Sequence, residues 1–497
     1  MDAMLQGFAI LADPFNIALI LAGVVVGVLV GALPGLSSPM AVALLLPVTI
    51  SLEPIPAIAM LSALYCAGTF GGSITAILIN APGAPPAVAT AFDGYPMAKR
   101  GEAGRALGIA TVSSVVGGVL SLFVLVLAAP AFAHVALEFR PPEYFALALF
   151  ALSMLATISG KSNLRNLISG AVGVLLGTVG IHLTTGVERF TFGFDALTDG
   201  IHFIPVLIGL FAVGELLAQS KTVTVHFERI TATVVRLPSK ADFKRVWPTI
   251  LRSTGIGTII GVLPAEGTTV AAIMGYNEAR RWSKHKDEFG TGVPEGIAGP
   301  EAANNAATGG AMVPTLALGI PGSGTTAIIL AALIMHGIRP GPHLLQKTPE
   351  FLYAIFGAML IANFAFLGIG LAGAKLFSRI TLIPRTLLWP AVFVFALVGS
   401  YAFAASVFDV WIMLASGLLG FLMIRHGFGP APLVMGLILG RLVEESFSQT
   451  MIIYDNQWWR IAERPIADVL LALTLTGLCW PLLRRLPRLW RGRKEAP

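Results

Sequence analysis

Two stretches of the chain, residues 27–93 and 257–341, carry the same interrupted pattern, and this pattern restricts what the chain can fold into. The first holds GVLVGALPGLSSPM and then GTFGGSITAILINAPGAPP. The second holds GTIIGVLPAEGTTV and then NNAATGGAMVPTLALGIPGSGTT. Each opens as an apolar segment and breaks at a Leu-Pro pair, Leu33-Pro34 or Leu263-Pro264. Each then runs through small and hydroxylated residues to a second break at Pro-Gly, Pro82-Gly83 or Pro321-Gly322. Gly27, Gly31 and Pro34 match Gly257, Gly261 and Pro264 at an offset of 230 (from 34 to 264), and the Pro-Gly pairs match at 239 (from 82 to 321). The nine extra residues fall in the charged loop at 278–299 of the second copy.

Breaks of this kind have a physical meaning only once the solvent is known. Hydrophobic residues make up 55% of the 497 residues and charged residues 12%, about half the share of a soluble domain. Mean hydropathy is +0.80, and several runs reach the ~20 apolar residues needed to cross a bilayer. The expected class is an all-α polytopic membrane protein. In hydrocarbon an unpaired backbone N–H or C=O costs several kcal/mol, so interrupted backbone survives only inside protein or beside a water-filled cavity. Proline removes a donor and glycine opens backbone angles closed to other residues. Two matched pairs of breaks therefore predict a binding site at mid-membrane between two repeats.

The basic residues, with a net charge of +6, cluster in connectors: AKRGEAGR, GKSNLR, residues 221–252, ARRWSKHK and RRLPRLWRGRK. This is a topology signal and gives no reason to expect nucleic acid as a partner. With basic connectors cytoplasmic, the N-terminus is expected in the periplasm, and the linker 221–252 and the C-terminus in the cytoplasm. The first repeat (1–220) then starts outside and the second (253–497, with C-terminal helices) starts inside. The two repeats are expected to be inverted, built from broken helices or re-entrant hairpins, in about 11–12 transmembrane segments. Cys66 and Cys479 have no metal-ligand spacing and read as core residues. MDAMLQGF lacks a basic n-region and a cleavage site, so the first apolar segment is expected to be retained.

PGLSSP, INAPGAPPAVATAFDGYPMAKRGEAGRALGIA and PEAANNAATGGAMVPTLALGIPGSGTTAIILAALIMHGIRPGP together resemble the large membrane subunit of the tripartite tricarboxylate transporters, the TctA family. The likeness runs over nearly the whole chain. It implies a secondary transporter subunit of the bacterial inner membrane, importing citrate, dicarboxylates or related organic carboxylates. It also implies a small TctB-like membrane subunit, a TctC-like periplasmic binding protein that delivers substrate, and a cation gradient, Na+ or H+, as driving force. No other cofactor and no enzymatic activity are expected.

The residues at the breaks are the candidate site. Pro34, Gly35, Ser37, Ser38, Pro264, Gly267, Thr268 and Thr269 occupy the first tips, where hydroxyls and freed N–H groups suit a carboxylate; local helix capping is the alternative. Asn304, Asn305 and Thr308 lie within about one turn in an apolar setting, where a ligand or an interhelical hydrogen bond would satisfy them. Asn80, Ala81, Pro82 and Gly83, with Pro321, Gly322, Ser323, Thr325 and Thr326, supply oxygens suited to Na+ or form a hinge. Thr308 joins this set. Glu266, Glu301 and Asp93 are the acids beside the breaks, able to carry a proton or help hold a cation; Asp93 and Glu301 read equally well as turn and helix-start residues. No metal beyond Na+ is expected. The arginines nearest the motifs, Arg100, Arg105 and Arg339, are explained by topology alone, and His336 and the terminal Trp residues read as interfacial. An intramembrane enzyme on lipid-linked substrates would need a concentrated catalytic set that the eight scattered histidines do not offer, and a passive anion channel has little use for two broken-helix units.

Overall fold

A computed structural model of the chain describes residues 2–33, 35–158, 162–182, 184–219, 234–264, 267–341, 344, 347–373 and 385–491. Pro34, Glu266 and the first part of the linker lie outside them. The protein is an all-α polytopic membrane protein; the only sheet among the described residues is a two-residue ladder between β1, Gly180–Ile181, and β2, Glu188–Arg189. Five helices among the described residues are long and apolar enough to cross a bilayer, and six shorter apolar helices accompany them. Two of the shorter ones, Ser38–Ser51 and Gly324–Met335, start directly after a break.

Packing divides the chain into two compact units, Met1–Ala136 with Ile204–Leu422, and Leu137–Phe203 with Met423–Pro497. The described part of the linker, residues 234–252, falls inside the first unit.

The first unit begins with α1 (Asp2–Leu11) and α2 (Pro14–Gly31). Asp13 caps α2 by accepting the N–H of Phe15 at 2.8 Å, and Pro14 sits at the first position, where its missing N–H costs nothing. Then follow α3 (Ser38–Leu45), α4 (Pro54–Ile79), α5 (Val88–Met97) and α6 (Ala103–Leu137, its last residue in the second unit). After α9 (Phe203–Ile208, its first residue in the second unit) and α10 (Gly214–Gln219) come α11 (Lys240–Val262), α12 (Gly267–Trp282), α13 (Pro294–Ala317), α14 (Gly324–Met335), α15 (Pro349–Ala372), α16 (Arg385–Ala404) and α17 (Val407–Arg425, its last three residues in the second unit). A Ser239–Asp242 capping box starts α11, and Arg105 of α6 forks onto the same Asp242, with Nη2 2.5 Å from Oδ1.

The second unit contains α7 (Pro141–Ile158), α8 (Asn163–Gly177), α18 (Pro430–Ile453) and α19 (Pro465–Arg491). Glycines bring α8 and α18 together: a Cβ on Gly173 would strike the carbonyl of Leu433, and one on Gly436 that of Gly170. Glu143, fully buried at the start of α7, takes a hydrogen bond from Arg464 Nε at 2.5 Å.

Candidate functional site

In α2, Gly23, Gly27 and Gly31 recur every four residues, and a Cβ on each would meet in turn the carbonyls of Met60, Leu64 and Gly68, one turn apart on α4. No side chain separates the two backbones. In the second copy, Gly257 and Gly261 of α11 press on the carbonyls of Ala303 and Ala307 of α13. These contacts keep both sequence offsets: Gly27 and Gly257 differ by 230, and Leu64 and Ala303 by 239. In membranes, close helix approach of this kind is driven by van der Waals packing between small residues.

The breaks repeat with the same fidelity. At the first tips, the N–H of Leu33 bonds to Val30 O and that of Leu263 to Ile260 O, both at 3.1 Å. At the second breaks, Asn80 (φ 52°) and Gly319 (φ 71°) both take the left-handed conformation that ends a helix. The chain then folds back alike: Ala81 N–H reaches Thr75 O at 3.3 Å, and Ile320 N–H reaches Pro314 O at 3.1 Å. Glycine follows in both, with Gly83 against Gly31 and Gly72, and Gly322 against Ala311. The repeat read from letters is thus present as backbone geometry.

The copies meet where α4 faces α13 and α14. Tyr65 Oη lies 3.3 Å from Ser323 Oγ, and Cys66 Sγ lies 3.7 Å from Thr308 Oγ1. Asn304 and Asn305 are each 1% exposed. Among the described residues, both amide atoms of Asn304 and the Oδ1 of Asn305 have no hydrogen-bond partner, nor does the hydroxyl of Ser62 on α4. Asn305 Nδ2 donates to Glu301 O at 3.3 Å. A buried amide without a partner costs on the order of 1–3 kcal/mol, so native proteins leave few of them.

The other sequence candidates are placed as follows. Ser37 caps α3 through Met40 N–H at 3.4 Å, and Ser38 is buried with its hydroxyl against Gly68. Gly35 has φ 95°, and its carbonyl is held by Gln219 of α10. Pro264 and Gly267 are buried, while Thr268 and Thr269 are half-buried in the first turn of α12. Ser323 and Thr326 form a reciprocal cap on α14, with Thr325 buried beside them. Asn80 is exposed, Pro82 half-buried, and Ala81, Gly83, Pro321 and Gly322 are buried.

The two described acids have different surroundings. Asp93 is fully buried, and its Oδ1 accepts the N–H groups of Gly290, Gly292 and Val293 at 2.8–2.9 Å, while Oδ2 accepts Tyr276 Oη at 3.0 Å. It clamps the loop that leads into α13. In that loop a hydrogen bond from His285 holds the exposed Glu288 carboxyl below its usual range. Glu301 is also fully buried, with the hydroxyls of Thr90 and Ser114 donating to its two oxygens at 2.5 and 2.7 Å.

Sequence reasoning passed over Tyr65, Thr90 and Ser114, and took Cys66 as core. The offset of 239 contains the missing signal for the first pair, since it pairs Asn304 with Tyr65 and Asn305 with Cys66. In the second unit a cavity of about 280 Å³ is lined by His182, Arg189, Arg441, Glu444 and neighbours. It includes none of the sequence candidates, and Arg189 already grips Glu444 with both terminal nitrogens.

Interrupted helices, glycine seams and polar side chains buried between them define a multi-pass membrane protein built around a paired broken-helix unit. The chain belongs to the tripartite tricarboxylate transporter TctA family, whose pattern matches residues 17–435; it is therefore a component of such a transporter. It is 40% identical over 477 residues (96% of this chain, 95% of the relative) to an uncharacterized 52.8 kDa protein in the TAR-I ttuC' 3' region of Agrobacterium vitis. It is 39% identical over 239 residues (48% of this chain, 98% of the relative) to an uncharacterized protein in the TAR-II ttuC' 3' region of the same organism. No solved structure matches the chain.

Proposed function

We propose that the chain is the permease of a cation-driven importer of tricarboxylates or related organic carboxylates in the bacterial inner membrane. A periplasmic binding protein would deliver the substrate and a small membrane subunit would complete the assembly. The reading is supported most directly by Asn304, a buried amide with neither side-chain atom partnered among the described residues, one turn from the Thr308 contact that joins the copies. The amide N–H of Asn304 suits a carboxylate oxygen, and an organic anion between α4 and α13 would accept from it. The hydroxyls of Ser38, Thr268 and Thr269, with the N-termini of α3 and α12, offer further donors. Na+ is the favoured coupling ion, because carboxylate, hydroxyl and carbonyl oxygens near the breaks match a hard cation.

The test is uptake of labelled citrate and a panel of other carboxylates into vesicles carrying all three components. Uptake should collapse when the Na+ gradient is removed. Uptake that follows a proton gradient instead overturns Na+ and leaves transport standing. Counterflow exchange of labelled against unlabelled carboxylate identifies a carrier, and its absence with rapid equilibration identifies a channel.

A further inference from the structure

Glu301 is fully buried on α13, and no described lysine, arginine or histidine forms an ion pair with it. A carboxylate in that position is neutralised either by a proton or by a bound cation. Its neighbours are hydroxyls drawn from elsewhere in the fold: Thr90 on α5 binds Oε1 and Ser114 on α6 binds Oε2. Each hydroxyl that donates here has lone pairs it can turn toward a cation instead. Carboxylate and hydroxyl oxygens together form a donor set for a hard cation.

Charged and titratable groups on the elements around it have partners of their own. Asp93 of α5 and Tyr276 of α12 serve the loop before α13. Glu295, in the first turn of α13, pairs with Arg245 of α11 at 2.7 Å. Arg105 of α6 binds Glu102 and Asp242, and Tyr65 and Cys66 of α4 face Ser323 and Thr308.

We propose that Glu301, Thr90 and Ser114 form the seat of a monovalent cation, Na+ or H+, which couples to the anion bound one turn away at Asn304 and Asn305. The proposal rests on the transport function proposed for the chain and deepens it. The seat closes only while α5 and α6 lie against α13, so occupancy favours that arrangement over any in which they part. The two sites share one helix: Asn304, whose amide N–H has no partner among the described residues, lies within one turn of Glu301, and Asn305 Nδ2 holds the main-chain carbonyl of Glu301. A cation at Glu301 also lowers the repulsion an organic anion would meet from that carboxylate.

The test is thermal unfolding of the purified full-length chain in NaCl against choline chloride at equal ionic strength, and in choline chloride across a pH series. With Na+ in the seat, added NaCl raises the melting temperature of the wild type. With a proton there, falling pH raises it. Glu301→Gln removes whichever response the wild type shows. Thr90→Val and Ser114→Ala move its midpoint by about tenfold in cation concentration each, from the loss of one ligand. The proposal is overturned if the wild type responds to neither cation or if Glu301→Gln responds like the wild type. Should Glu301→Gln not fold, an unchanged midpoint in Thr90→Val and Ser114→Ala overturns it equally. No carboxylate is needed for these measurements. A Glu301-dependent cation response with no carboxylate uptake would thus discard the transport function and keep the seat.

Discussion

The hydroxyl of Tyr65 lies 3.3 Å from that of Ser323, a contact between residues 258 positions apart that ties α4 of the first copy to the second break of the other. Ser323 keeps Thr326 as a partner when this contact is lost. Tyr65→Phe should therefore cost only about 1 kcal/mol, the net worth of one neutral hydrogen bond. Equilibrium unfolding in detergent measures it. A loss several times larger would mean that Tyr65 does more than hold this one partner.

Asn304 should behave in the opposite way to an ordinary core residue. Asn304→Leu conserves approximate volume and removes an amide that has no partner among the described residues, so stability should stay level or rise by about 1 kcal/mol. Carboxylate uptake should fall at least tenfold, as expected when a ligand loses one amide contact of about 1.4 kcal/mol. A variant that is both destabilised and fully active would remove Asn304 from the site.

Glycines in α11 provide an internal contrast. Gly261→Val drives side-chain atoms into Ala307 and Gly310 and should cost about 1–3 kcal/mol, as overpacking does. Gly255, nearly two turns earlier on the same helix, has open space within 4 Å of the point where a Cβ would stand, so Gly255→Ala should stabilise by about 0.5–1 kcal/mol through helix propensity. Thermal melts of the two variants should therefore shift in opposite directions.

Asp93→Ala should be severe, because three backbone N–H groups and the Tyr276 hydroxyl lose their acceptor together. With one hydrogen bond worth about 1 kcal/mol net, the loss is about 3 kcal/mol or more. Asp93→Asn keeps an acceptor for the loop and should cost less than half as much. The measurement is proteolysis of the loop at 286–293 alongside the melting temperature, and both should follow the order wild type, Asn, Ala.

Much of this arrangement was legible as spacing. Constant offsets between Gly31 and Gly261, and between Pro82 and Pro321, identify positions that turn out to share backbone hydrogen bonds and left-handed residues. Pro and Gly are readable because each acts on its own backbone. Side-chain partnerships across 200 residues are not local, which is why Thr90 and Ser114 gave no sign of Glu301. Tyr65 and Cys66 were hidden for another reason: in an apolar helix an aromatic ring and a thiol look like ordinary filling. Asp93 was legible as an acid beside a break, but only the folded loop reveals the three N–H groups it gathers.

The glycine contacts along α2 and α4, and along α11 and α13, have one more consequence. With peptide groups touching directly at the glycines, each pair has little room to tilt and is best described as a plank. A rearrangement that leaves both planks intact would pass between them, at side-chain contacts such as Cys66 with Thr308 at 3.7 Å or Glu301 with Thr90 and Ser114.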